Sequence, residues 1–289
     1  MRNSKLIVTA AVAISAILSI GAASAADLPA RTYTKAPAVV APVYNWTGWY
    51  VGVNGGGGWS ANNNGTLTAT DTGAGGILSP FGVPATFSTM GLPIKSSGGL
   101  AGGQVGYNWQ MANWVFGVEA DGDWAGIKGS NLAIAGGGVG FNPTFSQVTV
   151  TGTSKLQGLE TLRGRIGFLV TPQFLLFATG GLALGQEKVT MQAVGPRFAP
   201  PLAAINTNST TQAGYAVGAG AEWKVAPQWN LKAEYLYVGL GNQSSTIAYN
   251  YAGLVSNFAS TATLTTKQNY NIVRVGVNYQ FGGLVVAKY

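Results

Sequence analysis

Trp114-Val115-Phe116-Gly117-Val118-Glu119-Ala120-Asp121-Gly122-Asp123-Trp124 alternates at every step. Its even positions are Trp, Phe, Val, Ala, Gly and Trp; its odd positions include Glu119, Asp121 and Asp123. Successive side chains of a strand point to opposite faces, so one face here is wholly apolar and the other carries the carboxylates. A Trp closes each end of the apolar face. At about 3.3 Å per residue and a tilt near 40°, the two Trp stand roughly 25 Å apart, the height of the apolar band on a transmembrane barrel. The stretch predicts a strand with lipid on one side and a polar interior on the other.

Composition extends that reading to the whole chain. Only 9% of the residues are charged, against about 25% in a typical soluble domain. Yet no internal run of about 18 apolar residues is present to make a spanning helix. Helices and closed barrels are the structures that satisfy their backbone groups in lipid, so strands are left as the crossing element. Glycine, 43 of 289 residues, suits turns and crowded strand faces and disfavours helix.

The first 25 residues read as a signal peptide. Arg2 and Lys5 precede an apolar stretch, Leu6 to Ile20, and Ala23-Ser24-Ala25 is a small-residue cleavage site, so the mature chain starts at Ala26. No cysteine is present, which excludes a lipoprotein anchor and disulfides. Removing Arg2 and Lys5 lowers the formal charge from +7 to +5. That excess is spread thinly and argues against nucleic-acid binding; a loose attraction to anionic lipopolysaccharide or cell wall fits it.

Residues 26–48 contain Pro29, Pro37 and Pro42 without a period of two, and read as a Pro/Ala-rich periplasmic linker. From there eight segments have strand character: Trp49–Trp59, Gly98–Gln110, Trp114–Trp124, Leu156–Val170, Phe174–Gly185, Thr210–Val225, Trp229–Gly241 and Gln268–Phe281. Three connections, Met111-Ala112-Asn113, Thr171-Pro172-Gln173 and Ala226-Pro227-Gln228, are short. The other four are long and rich in Gly, Ser, Thr and Asn. Short periplasmic turns and long outer loops are the asymmetry of outer-membrane barrels. The expectation is an all-β fold: an eight-stranded antiparallel up-and-down transmembrane barrel over 49–281, with four long extracellular loops and a tail at 282–289.

The alternation recurs in the other segments. Val273, Val275, Val277, Tyr279 and Phe281 oppose Arg274, Asn278 and Gln280; Trp229, Leu231, Ala233, Tyr235 and Tyr237 oppose Asn230, Lys232 and Glu234. Phe174–Gly185 is apolar on both faces. Trp49, Trp59, Trp109, Trp114, Trp124, Trp223 and Trp229 all fall at strand ends on the apolar face, and with Tyr237, Tyr279 and Phe281 they form two aromatic girdles. Trp46, just before the first strand, is the exception. A soluble barrel with the apolar faces turned inward would need charge on the outside of every strand, and this chain has too little.

Faces set by the apolar residues send ten charges inward: Glu119, Asp121, Asp123, Glu222 and Glu234 against Arg163, Arg165, Lys224, Lys232 and Arg274. Glu160 falls outside, at the outer rim. An unpaired buried charge costs several kcal/mol, so a balanced, paired interior is expected. Eight strands leave room only for side chains, and long charged ones would fill it, which argues against a wide pore. A hard cation on Glu119, Asp121 and Asp123 is the alternative use of that face, opposed by the arginines that compete for it. The chain lacks His and Cys, the usual bases and nucleophiles, so no enzyme and no cofactor are expected. Gly55–Gly58 lacks the Lys-Ser/Thr of a phosphate loop.

The ending Arg274-Val275-Gly276-Val277-Asn278-Tyr279-Gln280-Phe281 resembles the signal by which outer-membrane barrels are recognised for insertion. With Thr47-Gly48-Trp49-Tyr50-Val51-Gly52, Arg163-Gly164-Arg165-Ile166-Gly167, Thr179-Gly180-Gly181-Leu182-Ala183 and Glu234-Tyr235-Leu236-Tyr237, the chain resembles the alphaproteobacterial, rhizobia-type porin-like surface proteins. The tail Gly282–Tyr289 departs from that pattern, because the insertion signal usually ends the chain. The resemblance implies an abundant surface antigen of the Gram-negative outer membrane, surrounded by lipid and lipopolysaccharide and inserted by the barrel-assembly machinery through its last strand. It also implies attachment of the Ala26 amine to peptidoglycan. A structural role in envelope integrity is the leading expectation; a small-solute channel and a loop-mediated adhesin are the alternatives.

Overall fold

The computed structural model describes residues 44–61, 64–72, 86–93, 95–135, 148–195, 202–252 and 257–281. These form ten strands: β1 (Gly48–Ser60), β2 (Asn64–Thr72), β3 (Thr86–Pro93), β4 (Ser97–Met111), β5 (Trp114–Ala135), β6 (Val148–Thr171), β7 (Phe174–Gly195), β8 (Leu202–Ala226), β9 (Trp229–Ala252) and β10 (Asn257–Phe281). The signal peptide, the linker up to residue 43 and the tail 282–289 lie outside the described residues, and Ala26 with them.

Each of β1 and β4 to β10 pairs antiparallel with the next, and β1 pairs with β10 to close a ring of eight. Closure leaves no strand edge within the lipid, which the barrel requires because no water is there to satisfy one. In the ring Trp49 faces Phe281, and Glu119 faces Arg163 across β5 and β6. The strand ends on the periplasmic side fall within one residue of those expected from the sequence. The turns there are tighter than three residues, since only Ala112-Asn113, Pro172-Gln173 and Pro227-Gln228 separate the strands. Ala112 pays for this with a left-handed φ of 54°.

At the outer end the strands run on well past the expected boundaries. β7 continues from Gly185 to Gly195, and β5 from Trp124 to Ala135. Much of the sequence read as four long loops is therefore strand. The reason is an inversion of pattern. Inside the membrane band the outward residues of β7 are apolar, Leu182 and Leu184. Beyond it, Gln186, Lys188 and Gln192 face out, while Val189, Met191 and Ala193 are buried. β10 does the same, with Ala262 and Leu264 buried. Lipid outside favours apolar residues outward; water outside favours them inward. The short β1 stops at Ser60, and β2 takes its place beside β10, pairing Gly65–Thr72 with Ala259–Thr266. β3 then pairs with β2.

The linker reading also needs correction at its end. Asn45, Trp46 and Thr47 are not part of an extended arm. Trp46 is fully buried against Val115, Leu169 and Leu175 at the periplasmic mouth. Its indole N–H donates to the Pro172 carbonyl at 3.1 Å, and its backbone N–H to Gln110 Oε1 at 2.8 Å. This accounts for the first of the inward apolar residues of Phe174–Gly185: Leu175 turns inward to meet Trp46, while Leu176 turns to lipid.

Candidate functional site in the charged interior of the barrel

All ten inward charges are buried. Strand pleating puts them there, and register brings them together. Arg163 is the hub, fully enclosed, with Glu119 at 2.7 Å, Asp121 at 2.6 Å and Glu234 at 2.7 Å. Its Nε donates to Thr161 Oγ1. Arg274 reaches Asp121 at 3.0 Å, Asp123 at 2.7 Å and Glu234 at 2.9 Å. Lys232 donates to both oxygens of Glu119, at 2.6 and 2.8 Å, and lies 3.4 Å from Glu234. Arg165 pairs with Glu222 at 2.8 Å and rests on the Phe177 ring with its guanidinium carbon 4.3 Å from the centroid. Apart from Lys224, each of these charges meets an opposite one, and the guanidinium forks satisfy several carboxylate oxygens at once.

Lys224 is the one member that leaves the network. No carboxylate is paired with it among the described residues. Instead its ammonium donates to the Asn45 carbonyl and to Gln280, and stands 4.8 Å from the Trp46 ring centroid. It ties the incoming chain to the barrel floor. The tri-carboxylate face read as a possible cation site is occupied otherwise: Arg163, Lys232 and Arg274 lie against Glu119, Asp121 and Asp123.

Other residues complete the filling without a signal strong enough to single them out in sequence. Tyr50 donates to Glu119 Oε2 at 2.7 Å and accepts from Arg165 at 3.1 Å. Towards the outer end, Ile127, Leu156, Leu159, Leu236, Val238, Leu240 and Ile272 form an apolar layer across the interior. Further out, Glu187 is buried and accepts from the Tyr270 hydroxyl at 2.7 Å, with no cation paired to it among the described residues. Glu187 fell in sequence read as loop; its parity with Val189 and Met191 is the signal that could have placed it.

The aromatic residues surround the wall. Trp49, Trp109, Trp114, Trp223, Trp229, Tyr279 and Phe281 ring the periplasmic end; Trp59, Trp124 and Tyr237 stand towards the outer end. Neighbours pack edge to face, as in Trp229–Tyr279 and Tyr279–Phe281, each at 5.1 Å between centroids. Glu160 is exposed on the outer face.

A closed antiparallel ring with an apolar outer band and aromatic collars defines an outer-membrane β-barrel protein. The chain belongs to the outer membrane protein beta-barrel domain family, which it matches over residues 13–281. It is 32% identical over 266 residues to the 31 kDa outer-membrane immunogenic protein of Brucella melitensis, covering 90% of this chain and 93% of that protein. Identity to the 25 kDa outer-membrane immunogenic protein of Brucella abortus is 27% over 247 residues, covering 85% and 84%. To the 22 kDa outer membrane protein of Rhizobium leguminosarum it is 35% over 138 residues, covering 47% and 51%. The alphaproteobacterial resemblance and the Gram-negative outer-membrane location both stand on these matches.

Proposed function

We propose that this protein is a structural and surface barrel that strengthens the envelope, with a closed interior and no catalytic activity. The observation that carries the reading is the filling of the lumen along its length. Trp46 occupies the periplasmic mouth, the ion-pair network the middle, and the Leu/Ile layer the outer half. A hydrated diffusion path would have to break buried ion pairs and wet an apolar layer. The absence of His and Cys from the sequence supports the non-catalytic part.

The relatives are named immunogenic; by extension, the strands and loops beyond the outer girdle are the surface that meets the environment. The C-terminal strand is the element offered to the assembly machinery, and the Ala26 amine the point of attachment to peptidoglycan. Planar-bilayer recording of the mature protein tests the closed interior. Insertion without steps is expected, and steady nanosiemens conductance would overturn it. A peptidoglycan digest searched by mass spectrometry for a linked Ala26 peptide tests the tether.

A further inference from the structure

Three lysines stand side by side on the outer face of the wall. Lys128 of β5 pairs in register with Lys155 of β6, and Lys155 with Lys188 of β7. Lys128 and Lys188 are exposed and Lys155 is half-buried. Directly opposed like charges destabilise a sheet, yet no acidic partner is paired with any of the three among the described residues. Lys128 lies four residues beyond Trp124 on β5, about 10 Å further out along the barrel axis for a strand tilted near 40°. Long lysine stems let the ammonium groups swing back to the membrane boundary.

Below the row the wall changes character in two steps. First comes a notch of about 340 Å³ lined by Gly122, Trp124, Gln157, Gly158, Glu160 and Gln186. It exists because two of the outward positions are glycines; a Cβ built on Gly122 meets nothing within 4 Å. A bulge between Leu156 and Gly158 adds Gln157 to the exposed surface, and Trp124 is 82% exposed at the notch. An aromatic face beside amide and carboxylate groups suits a sugar ring, with its apolar faces and polar rim. Next, nearer the periplasm, a mostly apolar groove starts at Glu160, which it shares with the notch, and runs over Leu162, Leu182, Leu184 and Ala213.

Cations, then a sugar-sized polar notch, then an apolar groove follow one another down the wall formed by β5 to β8. We propose that Lys128, Lys155 and Lys188, with Trp124, Gln157 and Glu160 beneath them, bind the phosphorylated glycolipid of the outer leaflet. Its phosphates meet the lysine row, its sugars the notch, and one acyl chain the groove. The order of the three surfaces matches the order of those chemical groups across the leaflet. The site depends on outer-membrane residence and is independent of whether the lumen conducts.

The test is a titration of the detergent-solubilised mature protein, followed by native mass spectrometry. The probes are bisphosphorylated lipid A, monophosphoryl lipid A, phosphatidylglycerol and inorganic phosphate. Bisphosphorylated lipid A is expected to bind at least tenfold tighter than phosphatidylglycerol, with monophosphoryl lipid A between them and inorganic phosphate unbound. The K128Q/K155Q/K188Q variant is expected to lose at least tenfold, and the corresponding triple arginine variant to retain binding. Lys267→Gln, an exposed lysine on β10 at the far side of the ring, is expected to change nothing. Gly122→Leu fills the notch while keeping every charge, and a loss of about fivefold is expected. Folding of each variant is checked by its heat-dependent gel mobility; if the triple variant does not fold, Lys155→Gln alone, with an expected loss of about threefold, decides. Unchanged binding by the glutamine variants, or equal occupancy by phosphatidylglycerol, overturns the site and leaves only a diffuse surface attraction; binding of inorganic phosphate alone overturns the glycolipid assignment.

Discussion

Tyr50 and Gly106 sit opposite each other on β1 and β4, and the Tyr50 ring fills the space a side chain at Gly106 would need. A Cβ there would come 2.3 Å from Tyr50 Cζ and from its hydroxyl. That hydroxyl is the one donated to Glu119. The glycine is therefore what lets a bulky ring lie along the inner wall and reach the ion-pair network.

Gly106→Ala is expected to push the ring aside and break its bond to Glu119. Hydrogen bonds to charged groups are worth about 1.5–3 kcal/mol, so a loss of that order is predicted. Urea unfolding in detergent micelles measures it. In a Tyr50→Leu background the clash is relieved, and the cost of Gly106→Ala should nearly vanish. An equal cost in both backgrounds would show that the ring is not the cause.

Arg163→Met removes the hub of the network and leaves Glu119, Asp121 and Glu234 short of a cation. Breaking a buried pair by removing one partner costs about 3–5 kcal/mol. Adding Asp121→Asn to the same chain should recover part of the loss, because it removes a carboxylate left in excess over the remaining cations of the network. The same unfolding measurement checks both. A double variant no more stable than the single one would mean that charge imbalance is not what destabilises the barrel.

Trp46→Ala is expected to release the segment that enters the periplasmic mouth. Truncating a buried aromatic costs about 3–5 kcal/mol where the surroundings cannot collapse, and here the lost contacts are with Val115, Leu169 and Leu175. Limited digestion with a broad-specificity protease, followed by mass spectrometry, reads the result. In the parent, residues 45–47 should survive on the barrel; in the variant, trimming should advance to about Gly48. Identical end points would argue against Trp46 as the anchor.

The sequence carried the wall of the barrel openly and its outer end obscurely, for one physical reason. Between Trp114 and Trp124 the outward face must satisfy lipid, and alternation becomes a strict requirement. Beyond Lys128, Lys155 and Lys188 the outer face meets water, the apolar side moves inward, and residues such as Ser154, Thr190 and Thr266 carry little alternation. The strands continue, but their pattern changes sign. The inward charges were legible because parity alone assigns them. Which carboxylate meets which cation was less so, since Arg163 spans from its neighbour Glu119 on β5 to Glu234 on β9. Trp46 was visible only as the one Trp outside the girdle pattern.

Glu187 offers a test of how the outer half of the interior is stabilised. It is 1% exposed, its Oε2 has no hydrogen-bond partner, and Tyr270 supplies the one side-chain bond it receives among the described residues. A buried carboxylate without a cation pays a desolvation penalty that one neutral hydrogen bond does not offset. Glu187→Gln keeps the shape and the acceptor for Tyr270 while removing the charge. The variant is expected to be more stable than the parent by about 1 kcal/mol, the order of one neutral hydrogen bond, seen as a higher temperature for the gel-mobility shift at neutral pH. Glu187→Leu, which leaves the Tyr270 hydroxyl only Gln268 Oε1 at 2.7 Å as acceptor, should gain less. A Gln variant that unfolds more easily than the parent would show that the carboxylate is held ionised by a group beyond the described strands.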